Sequence, residues 1–494
     1  MVTEKSKIEI PPREAYVNPV IGFVHDVARG LGMREEDWQP LQTALRAILR
    51  IVILNRAAEP EQTIDLSISE SDEKVTIEIH NRGIPILLGL NSCETSADAE
   101  VRREFQEASR CVDELSIENQ GRQGQVLTLK KRLGEGAFKK TFAPETTQSA
   151  PADVPDADIS IRRLAPGEAG ALSQLFYFVY GYNYINETVY YPEKLKTMME
   201  EGRLISTAAA LPDGRVLGHV GLVRWANSPP VYEAALGLVD PRFQSRGLFA
   251  KIFQKTMETV SSVPMQYLFF DFVTNHALTQ KFISRYGTRD LALFVGCQRR
   301  ETQASLEKLG LGPDPEGMDR YTILLSVIPQ TPHPFGTEIT LPESIGGPIG
   351  YLLKPLGLRW IPSPRFDPLP IGGDYKVRAQ PLQKAVIFDL IQPGRNAVES
   401  LTEDWHRLLR DGYEYAAVEV PPNTPGLGAL YDMLSERGFF LSGFVPYHFS
   451  DRLGLRFQDA SPAQVAYEHI KLATPAAKKL LEVVQQDQKR RCPV

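Results

Sequence analysis

"LGLVDPRFQSRGLFAKIF" (Leu236–Phe253) decides how the chain is read. An apolar stretch stops at Asp240-Pro241, a polar turn centred on Arg246-Gly247 follows, and an apolar helical pattern restarts at once from Gly247. A strand that ends where a helix begins presents the helix's first amides, and the positive end of its dipole, to whatever lies in front. Such a place accepts an anion. A glycine there lets phosphate oxygens approach the main chain without a Cβ in the way, and an arginine adds charge-assisted hydrogen bonds. Gly247 and Arg246 fit those two roles. The alternative is an ordinary strand-to-helix turn.

Outward from this stretch the pattern is mixed α/β. "GRLISTAAALPDGRVLGHVGLVRWA" reads as two strands joined at Pro212-Asp213-Gly214, followed by the strands "VYEAALGLV" and "QYLFFDFV" and a helix from about Ala277. Residues 142–158, "FAPETTQSAPADVPDAD", have no apolar period and read as a linker. A weaker seam falls at 301–320. Before the linker, Leu41, Ala44, Leu45, Ile48, Leu49 and Val52 form an inward helical stripe, and "TIDLSISE" and "KVTIEIHN" alternate as a hairpin. Near the end, "AAVEVPPNTPGLGALYDMLSERGFFLSGFVP" repeats the strand, asparagine turn, helix, glycine and strand of "FDFVTNHALTQKFISRYGTRDLALFVG". That echo predicts a duplicated α/β unit.

At 494 residues the chain should hold about three domains. With 43% hydrophobic and 23% charged residues it reads as an ordinary globular protein, and a net charge of -6 gives no case for nucleic-acid or anionic-membrane partners. "AILRIVIL" is too short to span a bilayer, and "MVTEKSKIEI" lacks a signal-peptide core, so a cytoplasmic protein is expected. Cys93, Cys111, Cys297 and Cys492 show no CxxC spacing and the eight histidines no HxxxH, so no metal or disulfide framework is expected.

"VDPRFQSRGLFAKIF" resembles the coenzyme A diphosphate loop of the GNAT acyltransferases, Arg/Gln-x-x-Gly-x-Gly/Ala after a strand ending in Val-x-Pro. Gln244 and Gly247 match, with Val239, Asp240 and Pro241 at the strand end; Phe249 departs at the sixth position, with Ala250 just beyond. The resemblance covers about residues 159–300 and, without a second loop, the tail from about 316. It implies acetyl-CoA or another acyl-CoA as substrate, bound by Leu238, Val239, Gln244, Ser245, Arg246, Gly247, Leu248, Phe249, Ala250 and Asn275, and a small-molecule or peptide amine as acceptor. It also implies an oxyanion donor at the main-chain amide of Leu238 or Val239, and Glu233 as base.

The family's acidic tyrosine falls on Ile283, so Tyr286 stands nearest to that role. Each of these residues has a plainer reading: Glu233 solvated, Tyr286 and Cys297 packed, Asn275 capping the next helix. The tyrosines at 177, 180, 182, 184, 190 and 191 line an acceptor pocket or simply pack.

The N-terminal segment "IPPREAYVNPVIGFVHDVARGLGMREEDWQPLQTALRAILRIVILNRA" resembles the histidine-kinase-like ATPase domain of anti-sigma-factor serine kinases. Arg46 and Ala47 stand where that family has its glutamate, Ile51 where it has its magnesium-binding asparagine, and Asn81 where an aspartate precedes Gly83. The resemblance implies the fold, and a protein partner engaging it, and argues against ATP. The expected α/β (α+β) organisation is thus an N-terminal ATPase-like sandwich (1–143), a linker (144–157), a GNAT domain (158–315) and a second GNAT-like domain (316–494). A non-catalytic regulatory protein is the other reading.

Overall fold

The computed structural model describes residues 5–491 apart from 32, 56–62, 72–73, 87–95, 133–153, 228–229, 303–318, 365–366, 422, 447, 449 and 464. Cys93, Cys492, most of the expected linker and most of the second seam therefore lie outside the described residues. The chain is mixed α/β and its contacts divide it into two compact units. Unit 1 comprises 1–201, 206–219 and 238–252; unit 2 comprises 202–205, 220–237 and 253–494.

In unit 1, β1 (Lys5–Ile10), β2 (Ile64–Ser71), β3 (Lys74–Asn81), β4 (Glu114–Asn119) and β5 (Gln125–Arg132) form an antiparallel sheet in the order β1-β2-β3-β5-β4. The hairpin expected from period-two alternation is β2–β3. One sheet face, with Ile64, Leu66, Ile68, Ile77 and Leu129, packs against α1 (Val17–Gly30), α2 (Glu35–Leu54) and α3 (Ser96–Ala108) in a single apolar core. Ile51 is fully buried in that core. Asn81 spends its Oδ1 on the Gly83 amide (3.1 Å) and on Gln125 Nε2 (3.1 Å).

After β6 (Ser160–Arg163), α4 (Ala169–Tyr180) and α5 (Pro192–Glu200) enclose the tyrosine-rich stretch. These tyrosines stack on one another and reach back to the N-terminal sheet: Tyr182 donates to Gly83 O (3.0 Å) and Tyr177 to Arg82 O (3.3 Å). Burial pushes the Tyr180 hydroxyl up to about 12. The stretch is packed aromatic structure joining two parts of unit 1.

β7 (Leu204–Ala210), β8 (Val216–Asn227), β9 (Pro230–Val239) and α6 (Leu248–Val260) each give residues to both units. Unit 2 continues with β10 (Tyr267–Val273), α7 (Leu278–Ile283), β11 (Arg289–Arg299) and β12 (Arg320–Pro329). β12 follows the expected boundary at 315, yet pairs along both β10 and β11. The short pair β13 (Glu338–Leu341) and β14 (Arg359–Pro362), with α8 (Glu343–Ile349) between them, leads to β15 (Asp374–Gln380). The tail then runs β16 (Ala385–Gln392), α9 (Arg395–Arg410), β17 (Tyr415–Val420), α10 (Leu427–Ser435), β18 (Phe440–Pro446), β19 (Leu453–Asp459) and α11 (Pro475–Arg491).

The duplication read from sequence is visible within unit 2. The order β9-β10-β12-β11, with only β9 and β10 parallel, is repeated as β16-β17-β19-β18, with only β16 and β17 parallel. The copies meet where Ala292 of β11 faces Gly443 of β18. Gly443 has φ 136°, and a Cβ there would lie 2.3 Å from Leu291 O, so only glycine allows this approach. Gln458 clips the seam, donating to Leu293 O (2.9 Å) and accepting from the Val295 amide (2.9 Å).

Candidate functional site

The residues expected at a site fall into two groups, one in each unit. In unit 1, β9 ends at Val239 and the buried Asp240 caps the next turn, accepting from the Arg242 amide (3.0 Å) and holding the Arg242 guanidinium through both carboxylate oxygens. With Pro241 preset at the first helical position, residues Pro241–Arg246 form a short 3-10 helix. The expectation of a helix starting at Gly247 is corrected by this extra turn. Gly247 is a left-handed residue (φ 64°) between the two helices, and α6 starts at Leu248. Space around Gly247 is open, with nothing within 4 Å of a built Cβ.

α6 is held by its apolar stripe. Leu248 and Ile252 are buried, and Gly218 of β8 makes room, since a Cβ there would come within 2.8 Å of Ile252 Cδ1. The cations at this turn have an internal anion: Arg246 donates to Val154 O and to Asp156 Oδ1 (3.0 Å), and Lys251 Nζ, in the first turn of α6, lies 3.9 Å from Asp156 Oδ2. Sequence reasoning missed Asp156, because nothing in its surroundings marks it as a partner for residue 246. The Ser245 side chain lies outside the described ones. Gln244, Phe249 and Ala250 are half-buried.

In unit 2, β9 pairs with β10 only over Val231–Glu233 against Tyr267–Phe269, and three residues later Leu236 has φ 56°, a strained value for a branched side chain. Glu233 faces Phe269 across this pairing, and Asp271 lies two residues on, so strand alternation puts Glu233, Phe269 and Asp271 on one face. Trp225 of β8 completes the group: its ring is tilted against Phe269 (6.3 Å) and its Nε1 donates to Glu233 Oε2 (2.7 Å). Glu233 is half-buried, and loss of hydration, with the Asp271 carboxylate adding repulsion, pushes its carboxyl up to about 8. Asp271 reaches solvent, yet enough protein surrounds it to raise it to about 6, against the pull of Arg456. Asp271 had no signal of its own in the sequence, since an acid alternating with phenylalanines reads as a solvated strand position.

Tyr286 is on the other face. Phe270 points toward Phe253 (6.2 Å), which stacks edge-on with Tyr286 (5.3 Å), so Tyr286 belongs to the aromatic packing under the helices. It also lines a cavity of about 440 Å³ with His333 and Leu356. The structure does not bring Tyr286 and Glu233 together. Cys297 is half-buried, and burial raises its thiol to about 12, which leaves no thiolate at neutral pH.

Asn275 does not cap α7, whose N-cap is Ala277. Gln280 instead serves the local carbonyls, donating to Val273 O (3.1 Å), His276 O (3.2 Å) and Lys471 O (2.9 Å). Asn275 Oδ1 and His276 Nδ1 are buried with no hydrogen-bond partner among the described residues. Burial lowers the His276 pKa, so its neutral form is favoured.

No protein-family model matches the chain, and no curated protein matches it. Solved structures are similar, over most of their own length, to about a third of it. Arabidopsis thaliana NAA60 in complex with a bisubstrate analogue is 14% identical, covering 34% of this chain and 97% of its own, with a TM-score of 0.26. The spermidine/spermine N-acetyltransferase SpeG from Vibrio cholerae is 11% identical, with coverages of 35% and 95% and a TM-score of 0.27. A GNAT superfamily phosphinothricin acetyltransferase from Sinorhizobium meliloti in complex with AcCoA is also 11% identical, with coverages of 35% and 88% and a TM-score of 0.27. No helix among the described residues is long and apolar enough to cross a membrane.

Proposed function

We propose that the chain is an acyl-CoA-dependent N-acyltransferase that moves an acyl group, acetyl in the simplest case, to a primary amine. The observation that carries this reading is Glu233, a carboxyl raised to about 8 with its side chain still reachable from solvent. An amine attacks a thioester only after its ammonium has lost a proton, and a general base works best when its pKa lies near the working pH. Ordinary solvated glutamates are far too weak for that. The open left-handed Gly247 ahead of α6 supports a diphosphate on the loop.

In this reading Glu233 takes one proton from the ammonium, and the freed amine attacks the thioester carbonyl. The main-chain amide of Leu238 or Val239 meets the oxyanion. The new C–N bond forms and the C–S bond breaks. The nitrogen gives up its remaining extra proton as the coenzyme leaves as a thiol, so the products are the amide and free coenzyme A.

The test is calorimetric titration with acetyl-CoA and, separately, ATP, on the wild type and on Gly247→Glu. The expected result is acetyl-CoA binding that Gly247→Glu abolishes; no binding to the wild type overturns the proposal. One observation favours a second reading, a non-catalytic partner-binding protein: Arg246 of the loop and Lys251 of α6 already face Asp156. Under that reading acetyl-CoA does not bind and ATP does not either.

A further inference from the structure

At 52% exposure, Trp225 is the most exposed aromatic among the described large hydrophobic residues. An indole half in water gains little from burial, so packing does not account for its place. Its edge does. The ring leans on Phe269, and its N–H is spent on Glu233 Oε2 at 2.7 Å. Indole is a donor only, so this bond favours the carboxylate over the carboxylic acid, and it holds one oxygen in a fixed direction while leaving Oε1 to take a proton. The other charged groups around Glu233 work against the carboxylate or at a remove: Asp271 on β10 repels it, and Arg456 on β19 acts on Asp271.

We infer that Trp225 is a positioning residue for Glu233, its indole N–H fixing one carboxylate oxygen so that the other is presented to the acceptor ammonium. The inference rests on the acyltransferase reading for its role in turnover, and on geometry alone for the indole–carboxylate contact.

Infrared titration gives a readout that needs no substrate. The carboxylic-acid band that Glu233→Gln removes is followed against pH in the wild type and in Trp225→Phe, which keeps the aromatic bulk and loses the donor. The midpoint should rise by about one pH unit in Trp225→Phe, as expected for loss of a hydrogen bond to a charged group. The acid limb of kcat/KM for acetyl-CoA-dependent acetylation of a primary amine should rise with it. kcat should fall about tenfold while KM for the amine stays within about twofold, because orientation rather than binding is lost. An unmoved midpoint in Trp225→Phe overturns the inference, whether or not any amine is acetylated. A midpoint that moves in Trp225→Phe, together with a wild type that acetylates no amine, overturns the transferase reading and leaves the indole–carboxylate contact standing.

Discussion

In the first copy of the repeat Asp271 stands beside Glu233 and opposite Leu325; in the second copy Glu419 stands opposite Arg456, with Arg378 closing on it from β15. The two acids are equivalent by strand and by sequence, FDFVTN against VEVPPN. Their surroundings differ in charge and in burial, since Asp271 reaches solvent and Glu419 is buried. Glu419 and Asp389 are matched by the buried Arg456 and the more exposed Arg378; burial alone would raise Glu419, yet these two guanidiniums hold it below the usual carboxylate range. Among the described residues, Asp271 and Glu233 have no cation in contact, and both are raised. One arrangement fixes its charges as structure. The other leaves an acid pair whose two carboxyls are both raised toward neutrality.

That contrast can be broken at several points. Glu233→Gln should lower kcat by about two to four orders of magnitude, the usual weight of a general base, measured as acetyl-CoA-dependent acetylation at saturating amine. The same variant checks the cost of the raised carboxyl. A carboxyl whose folded pKa is about 8, against an ordinary 4.5, leaves stability untouched below 4.5 and removes it progressively as pH rises toward 8. Glu233→Gln should therefore melt later than wild type at pH 9, by on the order of 2 kcal/mol, and alongside it at pH 4.

Arg456→Met attacks the other copy. Removing one partner of a buried ion network strands Glu419, and the loss should be about 3–5 kcal/mol in a denaturant titration, partly softened because Arg378 remains. Gln458 and the Ala292–Gly443 seam lie in the same part of the sheet, so unfolding should stay cooperative across unit 2. Asp271→Asn sharpens the comparison by removing the like charge: the acid limb of kcat/KM should move down by about one pH unit, and not to the ordinary range, because desolvation remains the larger cause. The smallest effect belongs to Asp156→Asn. An exposed ion pair is worth a few tenths of a kcal/mol, so freeing Arg246 should tighten acetyl-CoA binding about two- to threefold by calorimetry.

The periodic parts of this architecture were legible in the sequence. The stripe from Leu41 to Val52 is a helix, the alternating pair after Thr63 is a hairpin, and the echo between the Asn275 and Asn423 segments is a structural repeat. Each is a local pattern repeated often enough to survive tertiary context. The turn before α6 was read one step short, because Asp240 capping and Pro241 together create a helix that no apolar period signals. The chemistry was legible only as single residues. Glu233 could be named from its strand, but its pKa depends on Asp271 one strand over and on Trp225 one strand the other way, and no spacing along the chain encodes cross-strand neighbours. Tyr286, three positions after the expected site, packs against Phe253 on the sheet face away from Glu233.

The acid limb of kcat/KM for acetyl transfer to a primary amine, measured side by side in wild type and Asp271→Asn, tests the acid pair most directly. A raised Glu233 requires a limb close to pH 8 in the wild type and a lower one in the variant. A wild-type limb at the ordinary carboxylate value, or one that Asp271→Asn leaves in place, would contradict it.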